Sequence, residues 1–110
     1  MKKSVILLAA LSGAGSGYAA EMPQTARELN CTNCHAIDNK VYGPAWMDVS
    51  RRYRDARDNP ETFDALVKKV SLGGKGNWGG LPMPANDPLG KRREKVEELV
   101  KFILALSGPR

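Results

Sequence analysis

The stretch CTNCH, residues 31–35, holds both cysteines and the only histidine of a 110-residue chain. Two thiols three positions apart on one helical turn face the same way, and C-x-x-C-H is the pattern of covalent c-type haem attachment. Each thiol can add to one of the two haem vinyl groups, while the histidine directly after the second cysteine is carried to the iron as proximal ligand. Other uses of these residues fit less well. A thioredoxin-like dithiol is expected in a βαβ context, and no strand alternation is present. Structural zinc takes four protein ligands, and after Cys31, Cys34 and His35 only carboxylates remain. A disulfide between Cys31 and Cys34 closes too small a loop to stabilise much. The motif predicts one haem c, bound covalently by Cys31 and Cys34 and ligated by His35.

The N-terminus MKKSVILLAALSGAGSGYAAE has the lysines, short apolar run and small residues of a secretory leader. Its apolar run falls short of the roughly 20 residues a bilayer span needs. Gly17 and Ala19 place small residues where cleavage wants them, so the expected cut follows Ala19, with Ala20 the alternative. Residues 1–19 are then a cleaved signal peptide and 20–110 the mature domain. A domain of that size has a marginal core unless a disulfide, metal or cofactor supplements it. Loss of Lys2 and Lys3 takes the net charge from +5 to +3. That balance suits acidic partner surfaces. It does not suit nucleic acid, because Arg51 to Arg57 alternate with Asp55 and Asp58, as on a solvated helix face.

Thr25 and Glu28 have capping-box spacing and predict a short helix that carries the cysteines near its end. Trp46, Val49, Tyr53 and Ala56 recur at helical intervals. Asn59 and Pro60 open a further helix whose apolar face is Phe63, Leu66, Val67 and Val70, with Gly73 and Gly74 at its end. A final amphipathic helix presents Val96, Leu99, Val100, Ile103 and Leu106. Between these two, GGKGNWGGLPMPANDPLG reads as a rigid loop, able to form neither a helix interior nor a central strand. Met83 stands in it between Pro82 and Pro84, 48 residues beyond His35 and outside any apolar periodicity. This makes Met83 the candidate sixth iron ligand. Met47, beside Trp46, reads as core filler, and Met22 as a surface residue.

CTNCHAID, GPAW.DV, GNWGGLPMPAN and the terminal amphipathic helix occur in that order and at compatible separations. On these motifs the chain resembles the small bacterial class I cytochromes c, specifically the cytochrome c-551 (c8) group, over most of the mature domain. The resemblance implies an all-α cytochrome c fold with about four helices wrapped around one haem c. It also implies thioethers at Cys31 and Cys34 and axial ligation by His35 and Met83. Pro44 would lend its carbonyl to the histidine Nδ1 proton. Trp78 would donate its indole N–H to a haem propionate, and Asn86 its amide to the Met83 sulfur. Read locally, Trp78 could instead simply pack, and Asn86 could serve a turn or cap a helix. Where relatives often place an arginine on a propionate, this chain has Lys69.

The function so implied is that of a soluble, monomeric, periplasmic electron carrier and not an enzyme. It would bind no nucleic acid and insert in no membrane. A membrane cytochrome complex would be its donor, and a terminal oxidase or reductase its acceptor, with Lys40 and Lys75 in a basic rim for weak docking. The alternatives are the cytochrome subunit of a larger periplasmic oxidoreductase, and a haem sensor or peroxidase-like protein from whose iron Met83 departs.

Overall fold

The computed structural model describes residues 20–108, and the expectation of a cleaved leader lies outside them. Four helices account for most of the regular secondary structure: α1 (Gln24–Glu28), α2 (Trp46–Arg52), α3 (Pro60–Leu72) and α4 (Arg93–Ala105). Cys31–Asn33 and Arg54–Ala56 form 3₁₀ turns after α1 and α2. α4 packs against each of α1, α2 and α3. Its apolar stripe explains this central place: Val96, Leu99, Val100, Ile103 and Leu104 are all buried, and Leu106 packs beside them. From α3, Val67 and Val70 join the same core, with Phe63 and Leu66 at its edge.

Local chemistry sets the helix ends. The Asn59 side chain accepts from the N–H groups of Glu61 and Thr62 at 2.8 and 3.3 Å, and Pro60 occupies the first helical position, as expected for α3. α1 departs from expectation. It begins at Gln24, with Pro23 at the N-cap and no side-chain cap, so Thr25 and Glu28 do not form a capping box. Thr25 is buried inside the helix, and Glu28 turns to Lys95 of α4 at 2.7 Å. Asn30 follows in the left-handed conformation at φ 64°, and this stops α1 before Cys31. Cys31 therefore opens the succeeding 3₁₀ turn and Cys34 caps its end. Met22 packs against the core instead of lying on the surface, while the half-buried Met47 is outside that cluster.

The glycine- and proline-rich segment also differs from a plain loop. It folds into an antiparallel hairpin of β1 (Gly74–Gly76) and β2 (Gly79–Met83), pairing Gly74 with Met83 and Gly76 with Gly79. Every residue of the ribbon except Met83 is exposed, so no alternation is needed, and Pro82 is tolerated because a two-stranded ribbon is all edge.

Ser50 joins α2 to the end of α4 in a way periodicity does not reveal. Its hydroxyl, 0% exposed, lies 3.1 Å from the Leu104 carbonyl and 2.9 Å from both the Ser107 N–H and the Ser107 hydroxyl. Ser50→Ala strands these groups and is expected to cost about 1–3 kcal/mol. Each kcal/mol lowers Tm by about 4–8 °C in a domain of this size. An unchanged thermal midpoint would show the bonds to be immaterial.

Candidate haem site

The turn that presents the C-x-x-C-H residues is closed by its own backbone. Cys34 and His35 both donate to the Cys31 carbonyl, at 3.1 and 2.9 Å. The segment that follows folds back on it: Gly43 donates to the Cys34 carbonyl at 2.8 Å, Trp46 to Ala36 at 3.0 Å and Met47 to Ile37 at 2.9 Å. This return brings the Pro44 carbonyl 2.8 Å from His35 Nδ1. With Nδ1 donating there, Nε2 is the ring atom left for a metal, and the imidazole is a better donor for it. Trp46, 3% exposed, lies 5.7 Å from the His35 ring and backs onto Phe102 of α4 at 6.1 Å. Gly43 lies so close beneath the imidazole that a Cβ there would fall 2.5 Å from its Cε1.

Burial lowers the His35 pKa, with the Pro44 bond opposing, so the ring is biased toward the neutral form that ligates metals. Burial likewise pushes the Cys31 thiol up to about 11. Cys31 and Cys34 are not joined to each other by a disulfide. Cys34 opens onto the cavity described next, whereas Cys31 is buried with its thiol 3.9 Å from the Leu29 carbonyl.

His35, Cys34, Trp78, Lys69 and Met83 line one cavity that is partly open to solvent. Val70, Val100 and Ile103 belong both to the core and to the cavity wall, so whatever fills the cavity completes the core. The charged residues on the wall are Lys69 and Lys75, both cationic and suited to the acid groups of a porphyrin. Lys40 is exposed and bridges to His35 through backbone alone. Among the described residues no three His, Cys, Asp or Glu side chains converge as a metal-binding set, so the zinc alternative has no site there. The donor set and the apolar wall fit a haem.

Met83 reaches this wall because the chain after it is fastened to the end of α3. Asn86 and Asp87 donate their N–H groups to the Val70 and Ser71 carbonyls, both at 3.1 Å. The Asn86 side-chain amide donates to the Val70 and Pro84 carbonyls at 3.4 and 3.2 Å. In this structure it therefore braces the methionine loop. The buried Asp87 carboxylate accepts the Arg92 N–H at 3.1 Å at the start of α4.

Trp78, 42% exposed, sits at the hairpin tip with one side on the cavity. A residue the sequence pattern did not single out meets it: the Arg52 guanidinium lies 4.6 Å from the centre of the Trp78 ring and donates to the Asn77 carbonyl at 2.6 Å. Arg52 lies among residues whose alternating charges read as a solvated face, and only the fold of the hairpin shows its different use.

No family model matches the chain. Individual proteins do. Cytochrome c-551 of Allochromatium vinosum is 40% identical over 81 residues, spanning 74% of this chain and 81% of that protein. Cytochrome c-552 of Hydrogenobacter thermophilus is 34% identical over 104 residues, spanning 94% and 98%. The crystal structure of wild-type cytochrome c552 from Nitrosomonas europaea aligns with a TM-score of 0.64 at 33% identity, covering 74% of this chain and 95% of that one. These relatives are named as c-type cytochromes, the proteins that carry covalently bound haem c. Sequence and fold agree that this chain belongs to the class I c-type cytochromes of the c-551/c-552 group.

Proposed function

We propose that the chain is a periplasmic one-electron carrier in which His35 and Met83 are the axial ligands of the iron and Cys31 and Cys34 form the thioethers. The observation that carries this reading is that His35, its Nδ1 tied to Pro44, and Met83 line the same apolar cavity. When bound, haem c supplies reversible one-electron chemistry between ferric and ferrous iron. His35 contributes a neutral imidazole of fixed tautomer. Met83 contributes a soft thioether, which raises the reduction potential. With His35 and Met83 both holding the iron, the chain would leave no place there for a substrate, and its role would be electron transfer. Val49, Leu66, Val70 and Val100 keep water from the cavity wall. Trp78 and Lys69, on the same wall, are the residues placed to meet the acid groups. Lys40 and Lys75 form a cationic margin for brief docking of an acidic donor in the membrane or an acidic oxidase or reductase.

The leader pattern of residues 1–19 supports export, and no helix among the described residues is long and apolar enough to cross a membrane. The test is made on holoprotein recovered from the periplasm. Its oxidised form should show the weak sulfur-to-iron charge-transfer band, its ferrous form should refuse carbon monoxide at neutral pH, and its mass should begin at Ala20. Ready binding of carbon monoxide would overturn the two-ligand reading.

A further inference from the structure

The hairpin brings Trp78 and Met83 to the cavity, yet it has no buried face of its own. A two-stranded ribbon of this kind is marginal in water unless something packs on it. Its base is secured where Gly73 approaches the backbone of Met83, Pro84 and Ala85, and where Asn86 and Asp87 bond to α3. Its tip is met from a different element. Arg52 closes α2, donates through Nη1 to the Asn77 carbonyl at 2.6 Å, and lays its guanidinium on the Trp78 ring, Cζ 4.6 Å from the centroid. The Tyr53 ring lies 5.9 Å from the same carbon. Trp78 is thus bounded by the cavity on one side and by a guanidinium on another. The neighbouring Arg51 behaves differently and pairs with Asp48 at 3.7 Å, both side chains being well exposed.

We propose that Arg52 is the latch of this cavity wall: a positioning residue that pins the hairpin tip to α2 and so fixes the orientation of Trp78. A guanidinium suits the task because its plane can stack on an aromatic ring while its edge donates a hydrogen bond, a combination an ammonium group lacks. The latch goes beyond the carrier reading, since it does not depend on which atom ligates the iron.

The experiment follows hydrogen exchange in the ferrous holoprotein at the Gly76 and Gly79 amides and the Trp78 indole N–H, with Val100 of α4 as internal reference. Arg52→Gln is expected to speed exchange at the hairpin about tenfold and leave Val100 unchanged. Arg52→Lys, which keeps the charge without the plane, should loosen the tip as much as Arg52→Gln does. The latch is refuted if Arg52→Gln leaves the hairpin unmoved, if Val100 loosens in step with it, or if Arg52→Lys restores parental protection.

Discussion

Gly43→Ala is expected to unseat His35 although it alters no ligand. A Cβ at this position would stand 2.5 Å from His35 Cε1, 2.9 Å from Nε2 and 3.1 Å from Nδ1. Real Cβ contacts are not that short, so either the ring or the Gly43 backbone must shift. The backbone is held, because its N–H donates to the Cys34 carbonyl at 2.8 Å and its carbonyl accepts from Val41 at 3.1 Å. The imidazole therefore tilts, and its 2.8 Å bond to the Pro44 carbonyl is the contact that breaks. Overpacking of this kind costs about 1–3 kcal/mol, and each kcal/mol lowers the thermal midpoint by about 4–8 °C here. A specific mark accompanies the loss of stability. The Nδ1 proton, sheltered in the parent, should exchange with solvent in the variant. A parental midpoint together with a sheltered Nδ1 proton would show that the glycine is not required.

The part of this site legible in the sequence is the part with fixed local geometry. C-x-x-C-H places its three side chains by spacing alone, and Asn59–Pro60 and the stripe from Val96 to Ile103 likewise need no knowledge of distant chain. The misreadings share a physical cause. Thr25 and Glu28 have the spacing of a capping box, but burial of Thr25 and the pull of Lys95 on Glu28 outweighed that local preference. The hairpin leaves no mark in the sequence because strands are legible by alternation toward a buried face, and this ribbon has none. Ser50 and Arg52 look like ordinary helix-surface residues until α4 and the hairpin arrive, with partners 57 and 25 residues away. The bonds of the Asn86 amide to the Val70 and Pro84 carbonyls likewise carry no signal in the sequence.

Gly73 is as consequential for Met83, the second proposed ligand, as Gly43 is for His35. Gly73 ends α3 at φ 76°, a conformation that costs a residue with a side chain about 1–3 kcal/mol. A Cβ there would also lie 2.4 Å from the Met83 carbonyl oxygen, 2.8 Å from the Pro84 carbonyl carbon and 2.9 Å from the Ala85 nitrogen. All three are backbone atoms, so no rotamer change relieves the clash. Two routes of escape exist: the Met83–Ala85 backbone withdraws, or the end of α3 unwinds and releases the Asn86 and Asp87 anchors. Either displaces the Met83 sulfur. Gly73→Ala should therefore reproduce much of what Met83→Ala does: the charge-transfer band of the oxidised protein fades, the ferrous protein takes up carbon monoxide, and the potential falls. Met83→Ala sets the scale, a fall on the order of 0.1 V or more within the roughly 0.8 V that axial-ligand identity spans. Gly80→Ala is the matched control, because a Cβ there meets nothing within 4 Å. If Gly73→Ala keeps the band and the parental potential, the sulfur is held by something other than this close approach of backbone to backbone.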